Sequence, residues 1–412
     1  MARENQNSIL KLIWNRSMLV ALLMGFSCGL PLLLTLTVLQ AWMKEEGVDL
    51  TVIGMMTLVG IPYTVKFLWA PLLDRFTLPF LGRRRGWLLL AQVGLMFAIS
   101  GLGSAGPPHN PWMTAGIAFL VTFFSASQDI VVDAYRREDL SDEQLGLGSS
   151  LYISGYRVGM LAASGGGLLL ADRLPFYLVY QIMAACMLPA ILVTLLTPEP
   201  ETPEGVPGSL KDAVFSPLVE YFSRKGSLWI LGFILCYKIG DTMASALTTP
   251  FYLEIGFSKS EIGAVVKLFG FWATMIGSLA GGVFMLRLGI YRSLWIFGFL
   301  QAVSTAGFAV LARIGYSIAL LSTVIAFENL SSGMGTAAYA AFMASITNKK
   351  FTATQYALLS SLMGVPRVVA SAPTGFMVKN IGWQGFFVAC ALIAIPGMLL
   401  LLKLAPDKER TY

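Results

Sequence analysis

Apolar runs of about 20 residues, separated by short polar stretches, recur from one end of the chain to the other. About 20 apolar residues in a helix cross a bilayer core, so the pattern predicts an all-α membrane protein. Twelve spans are expected, at 15–41, 51–74, 86–103, 112–135, 146–171, 175–197, 228–253, 258–286, 292–312, 316–347, 352–378 and 382–405. Most connections are short. Residues 198–227, rich in Pro, Gly and charge, read as a linker between two six-helix halves, 1–197 and 228–412. The first run is too long for a signal-peptide core and no small-residue cleavage site follows it, so it reads as a retained helix.

Basic residues orient these spans. The N-terminus and the even-numbered connections hold most of them: Arg3, Lys11 and Arg16, then Arg75 and Arg83 to Arg85, Arg136 and Arg137, Arg287 and Arg292, Lys349 and Lys350. The odd-numbered connections hold only Lys44, Arg173, Lys259, Arg313 and Lys379. Positive charge stays on the cytoplasmic side, so both termini and the linker are expected there.

The two halves repeat one another. "GVDLTVIG" (47–54) opens span 2 and "GFSKSEIG" (256–263) opens span 8, with Asp49 and Ser258 as expected helix N-caps. "SSLYISGYR" ends at Arg157 in span 5 and "SSLMGVPR" at Arg367 in span 11. Spans 2 and 8 leave through "PLLDRFTLPFLGRRR" and "GVFMLRLGIYR". Three matches in order indicate a tandem duplication with parallel halves, a transporter architecture. The loop after span 2 resembles the G-x-x-x-D-R-x-G-R-R signature of the major facilitator superfamily. Asp74-Arg75 and Gly82-Arg83-Arg84 are present, "FTLPFL" is inserted, and Ala70 replaces the first Gly. The resemblance implies the major facilitator fold.

Composition agrees. Only 13% of the 412 residues are charged and 56% are hydrophobic, against about 25% charged in soluble domains. The net charge of +6 is explained by the loops, and no nucleic-acid partner is expected. Cys28, Cys186, Cys236 and Cys390 all sit in apolar runs without metal-ligand spacing. Neither a nucleophile–base constellation nor a phosphate loop is present, and the GGG at 165–167 lacks the following Lys-Ser/Thr. No enzyme activity, metal or cofactor is expected.

Ionisable residues inside the spans are costly and face cavities or one another. The basic ones are Lys66, Arg157, Lys238, Lys267 and Arg367; the acidic ones are Asp129, Asp133, Asp241 and Glu328. On span 4, Asp129 lies roughly 25 Å from the outer end and Asp133 near the inner surface, at about 1.5 Å per residue. Lys66 falls at a similar depth to Asp129, so one reading of Asp129 is coupling or cargo binding and the other is a fixed pair with Lys66. Asp241 can pair with Lys238 one turn away. Arg157 and Arg367 are placed to bind an anionic cargo through a two-pronged guanidinium. Asp133, near Arg136, Arg75 and the Arg83–Arg85 run, reads as a gating or structural salt bridge, with Asp74, Arg75, Arg83 and Arg84 as further gating candidates. Arg137, Glu138 and Asp139 read as solvated surface. The only histidine, His109, is in an outer loop, so any coupling proton falls to Asp129, Asp241 or Glu328. Gly155-x-x-x-Gly159 and Gly277-x-x-x-Gly281 permit close helix approach, expected either where spans 5 and 8 face each other or as ordinary packing.

Several stretches together resemble the AmpG muropeptide permeases: "LQAWM" (39–43), "KFLWAPLLDR" (66–75), "GRRRGW" (82–87), "SASQDIVVDAY" (125–135), "YKIGD" (237–241) and "FENLSSGMGT" (327–336). The resemblance covers nearly the whole chain. It implies import of N-acetylglucosaminyl-1,6-anhydro-N-acetylmuramic acid, with or without stem peptide, across the bacterial inner membrane. It also implies dependence on the proton motive force and a place in cell-wall recycling and β-lactamase induction. Family positions that matter for transport match Ala126 and Gln128, and Gly25 or Gly29. The Gln-Asp-Ile segment is also similar to acetyl-CoA transporters, which keeps another bulky anion, such as a coenzyme A ester, as an alternative cargo. Enteric members carry two further C-terminal helices, so a shorter subgroup is expected. The expected partners are a sugar-peptide cargo, protons and the bilayer, with the chain acting as a monomer.

Overall fold

The computed structural model describes residues 15–48, 50–107, 110–201, 210–224, 226–258, 261–364, 366, 370 and 373–404. Helix is the only extended secondary structure among them, and an isolated bridge joins Leu78 to Gly82. Asp49, His109 and Arg367 lie outside the described residues.

In chain order the helices are α1 (Arg16–Glu45), α2 (residues 50–75), α3 (Arg83–Gly103), α4 (Pro111–Asp139), α5 (residues 145–171), α6 (Phe176–Leu196), α7 (Leu210–Ser223) and α8 (Ser227–Ile255). Ile262–Ile314 follows as one run, broken at Gly289 into α9 (262–288) and α10 (290–314). Last come α11 (Ile318–Ile346), α12 (Thr352–Leu362) and α13 (Thr374–Leu404), the last broken at Gly382. Gly289 (φ 75°, ψ 167°) and Gly382 (φ 67°, ψ 172°) adopt a conformation essentially reserved for glycine. Gly289 falls in the gap that the apolar pattern leaves between 286 and 292, and Gly382 is the first residue of the span expected at 382–405. Eight helices among the described residues are long and apolar enough to cross a membrane. α2, α5 and α12 are not among them.

The divisions have local causes. α2 holds 3-10 turns at Met56–Gly60 and Lys66–Leu68, next to Pro62 and Pro71. A proline lacks the N–H that would bond the carbonyl four residues back, so the ladder tightens or breaks there. The hydroxyl of Thr122 on α4 donates to the carbonyl of Val59 at 2.5 Å, satisfying backbone at this break. In α1 a π turn at Leu34–Val38 follows Pro31, and the Tyr180 hydroxyl donates to the Leu34 carbonyl at 3.0 Å. The helix at 262 opens with a capping box: Ser258 accepts from the Glu261 N–H at 3.2 Å, and the Glu261 carboxylate accepts from the Ser258 N–H at 2.7 Å. Ser258 thus takes the N-cap place expected of it.

The chain forms two compact units. The first comprises 1–141, 151–217 and 346–358; the second comprises 142–150, 218–345 and 359–412. The core of the first is built on Leu30, Leu34, Leu95, Ile99, Val121 and Met183, with Trp42 stacked on Phe176 at 5.4 Å. The core of the second centres on Phe251, Phe308, Phe386 and Phe387.

Glycines set the closest helix contacts. In the first unit a Cβ at Gly25 or Gly29 would overlap the backbone of Tyr152 or Tyr156, and one at Gly155 or Gly159 would overlap that of Leu22 or Phe26. α1 and α5 therefore pack backbone to backbone. In the second unit Gly277 meets the Leu330 backbone and Gly333 the Thr274 backbone, which joins α9 to α11 in the same way. The glycines of both GxxxG motifs thus pack on a neighbour inside their own unit, and spans 5 and 8 also meet, where the Ser278 hydroxyl donates to the Ser150 carbonyl at 3.2 Å and Gly282 abuts the Ser150 side chain.

Candidate functional site

Three clusters contain the expected residues. The first is a charge network in the first unit, at one end of α2, α3 and α4 and the start of α12. Arg84 is fully buried and its guanidinium donates to Asp74 at 2.8 Å and to Glu138 at 2.6 and 3.0 Å. Arg83 adds a second cation on Glu138 at 2.9 Å. Asp74 has no exposed surface; its carboxylate accepts from the backbone N–H of Ala353 at 3.2 Å and of Thr354 at 2.8 Å. The Thr354 hydroxyl donates to it at 2.7 Å. A carboxylate on the free N–H groups of a first helical turn meets both unpaired donors and the positive end of the helix dipole. Glu199 accepts from the N–H groups of Arg84 and Arg85 at 2.6 and 2.9 Å, capping α3 in the same manner.

Glu138 corrects the sequence reading. It was expected to be solvated surface, yet its side chain is 2% exposed and neutralises two arginines. Its chain position beside Asp139 gives no sign of this, because the burial is supplied by α3. Arg75 stands apart, over the ring of Phe76 at 5.6 Å and with no acidic partner among the described residues.

Next to this network, Asp133 pairs with Arg136 at 3.0 Å. Arg136 also donates to the Tyr356 hydroxyl at 2.9 Å and lies over the Tyr152 ring at 4.5 Å. Both charges are buried. Asp133 therefore uses the cation one turn away on its own helix rather than the Arg83–Arg85 run.

One turn further into α4 is the second cluster. Gln128 is fully buried, and its amide nitrogen donates to Ser27 at 3.2 Å and contacts the Cys28 sulfur at 3.3 Å. Ala126 is fully buried on the same helix. Lys66 and Asp129 are both buried and their charges act on one another, yet no ion pair within 4 Å joins them. Gln128 Oε1 and Asp129 Oδ1 have no hydrogen-bond partner among the described residues. Tyr63 donates to Ser125 at 2.9 Å and Trp69 to Ser127 at 3.0 Å, holding α2 to the same face of α4. Gly29, on α1, lets Tyr156 approach. Arg157 is half-buried on α5.

The third cluster is in the second unit. Lys238 pairs with Asp241 at 2.9 Å across one turn of α8, as its spacing implied. Glu328 on α11 accepts from the Ser304 hydroxyl at 2.6 Å and lies within hydrogen-bonding range of Asp241. Thr274 donates to Asn329 at 2.8 Å. Lys267 is exposed on a π-helical turn, Ile262–Phe269.

Comparison with known proteins bears on this arrangement. A sequence model of the Major Facilitator Superfamily matches residues 17–371 and, in a second placement, 239–411. The anhydromuropeptide permease of Escherichia coli (strain K12) is 44% identical over 394 residues, covering 95% of this chain and 80% of that protein. The putative transporter AmpG 1 of Rickettsia bellii (strain RML369-C) is 32% identical over 403 residues, covering 95% and 98%. The chain belongs to the AmpG family of the major facilitator superfamily. Solved structures agree on the fold of this AmpG-family chain. The outward conformation of the transporter FucP matches with a TM-score of 0.73 at 13% identity, covering 95% of this chain and 100% of that one. The proton:xylose symporter XylE matches with a TM-score of 0.70 at 12% identity, covering 95% of each. The AmpG-family chain is thus an all-helical, multi-pass membrane transporter, and the relatives named here are permeases and transporters.

Proposed function

We propose that this protein imports anhydro-muropeptides across the bacterial inner membrane for peptidoglycan recycling, by alternating access. The observation that carries the cargo assignment is the 44% identity to an anhydromuropeptide permease over 95% of the chain. The chemistry of α4 supports it. Gln128 Oε1 and Asp129 Oδ1 are buried acceptors without partners among the described residues, and such groups cost about 1–3 kcal/mol each until satisfied. A cargo rich in amides and hydroxyls supplies the donors they need. Lys66 and Arg157 offer cations to its peptide carboxylates.

The chain crosses the membrane twelve times, in halves 1–197 and 228–412 joined by a cytoplasmic linker, with both termini in the cytoplasm. Support comes from the glycine breaks at 289 and 382 and from the basic residues of the even connections. Import is driven by protons. Asp129 is the leading carrier, and Glu328 with Asp241 forms a second acidic pair. The network of Asp74, Arg83, Arg84 and Glu138 with Thr354, and that of Asp133 and Arg136 with Tyr356, act as the inner latch. Arg367 and Lys267 serve as further cargo contacts, and the chain works as a monomer.

The test is uptake of labelled anhydro-muropeptide into vesicles holding the purified protein, with and without an inward proton gradient. Accumulation that requires the gradient is expected. No uptake by correctly inserted protein overturns the cargo, and uptake indifferent to the gradient overturns proton coupling.

A further inference from the structure

Within the expected linker, 14 residues form α7, Leu210–Ser223. Helical spacing divides α7 into three stripes. Pro217 and Tyr221, four apart, are buried, and the Pro217 carbonyl accepts from the Gln355 amide at 3.2 Å. Asp212, Ser216 and Ser223 form a polar stripe. Between these runs a stripe of large apolar side chains that no described residue covers: Phe215, Val219 and Phe222 are 57%, 65% and 52% exposed. Their spacing of i, i+4 and i+7 puts them on one face.

We propose that this stripe is seated in the headgroup and upper acyl region of the bilayer, with α7 lying in the membrane surface. Two observations favour lipid as the occupant. First, the stripe is continuous in chain with a membrane helix: α8 begins at Ser227, and its first turn presents Leu228 and Trp229, 72% and 50% exposed. Leu228, six residues after Phe222, is the first exposed apolar side chain of a helix long and apolar enough to cross a membrane, which holds the stripe near membrane level. Second, the sign of the flanking charge fits. Lys211 precedes the stripe in sequence and Arg224 and Lys225 follow it, as in helices that insert an apolar face beneath anionic headgroups. A helix that is buried on one side, wet on another and apolar between the two fits the line where protein, water and lipid meet. The side of the membrane rests on the cytoplasmic placement of the linker proposed above; the insertion itself does not.

The experiment replaces single positions by p-benzoylphenylalanine in the otherwise native chain. The protein is reconstituted in vesicles of phosphatidylethanolamine and phosphatidylglycerol and irradiated. Intact-mass measurement should find phospholipid adducts at 215, 219 and 222, and at 228 as the reference for a lipid-facing site. Positions 212, 216 and 223 should give none. Adducts at 228 but not at 215, 219 and 222 overturn the proposal, as do equal yields on the apolar and polar stripes. The triple variant Phe215→Ser, Val219→Ser and Phe222→Ser, carrying the probe at 214, should lose the adduct seen there in the parent; an unchanged yield counts against insertion. Adduct formation needs neither cargo nor a gradient, so failure here leaves the uptake result standing, and failed uptake leaves this one standing.

Discussion

The carboxylate of Asp74 accepts both the backbone N–H and the hydroxyl of Thr354, at 2.8 and 2.7 Å, although the two residues are 280 positions apart. The same carboxylate neutralises Arg84 at 2.8 Å. One buried group thus ties the end of α2 to the first turn of α12 and supports the cation that holds α3 and α4.

Thr354→Val removes one charge-assisted hydrogen bond, a loss of about 1.5–3 kcal/mol. With 1.4 kcal/mol per factor of ten, the tied arrangement should lose roughly ten- to a hundredfold in relative population. Double electron–electron resonance between spin labels at Arg75 and Lys350 should show a longer-distance population absent from the parent. Asp74→Asn should widen the distribution further, since it also weakens the hold on Arg84. Unchanged distances in both variants would remove the latch.

Glu138→Gln leaves Arg83 and Arg84 short of one buried negative charge. Removing one partner of a buried pair costs about 3–5 kcal/mol. A clear fall in melting temperature in detergent is expected, whereas Glu143→Gln, at an exposed position, should leave it in place. Equal effects of the two would show that the burial of Glu138 carries no energetic weight.

Gly29→Ala drives a methyl into the backbone of Tyr156, where no rotamer change relieves it. Overpacking of this kind costs about 1–3 kcal/mol. Gly116, in the second turn of α4, has nothing within 4 Å of an added Cβ, so Gly116→Ala should gain about 0.5–1 kcal/mol. Thermal unfolding of the two variants should therefore move in opposite directions. A Gly29→Ala protein as stable as the parent would contradict backbone contact between α1 and α5.

If Asp129 carries the proton as proposed, Asp129→Asn should abolish accumulation while the protein still inserts, since an amide cannot take up and release a proton. Asp133→Asn should slow transport without abolishing accumulation, by weakening the hold on Arg136. Uptake in vesicles with an imposed gradient checks both. Normal accumulation by Asp129→Asn would reduce Asp129 to packing, and an unaltered rate for Asp133→Asn would do the same for its pair.

By itself the sequence determined what rests on short range. Apolar runs follow from the bilayer as solvent, and the breaks at Gly289 and Gly382 from turn positions that carry a glycine. The Ser258 cap and the Lys238–Asp241 and Asp133–Arg136 pairs follow from helical spacing. The residues that stand together in family motifs, Gln128 and Asp129 above all, were legible because they are neighbours in the chain. What only the tertiary structure decided depends on which helix lies opposite. Glu138 reads as surface until α3 brings Arg83 and Arg84 onto it. Asp74 reads as part of a loop signature until the first turn of α12 supplies its donors. Gly155 and Gly277 show a capacity for close approach, but only packing chose α1 and α11 as their neighbours. In α7 the spacing of Phe215, Val219 and Phe222 was present in the sequence. That the face is uncovered could not be read there, because exposure is set by what the rest of the fold leaves unburied.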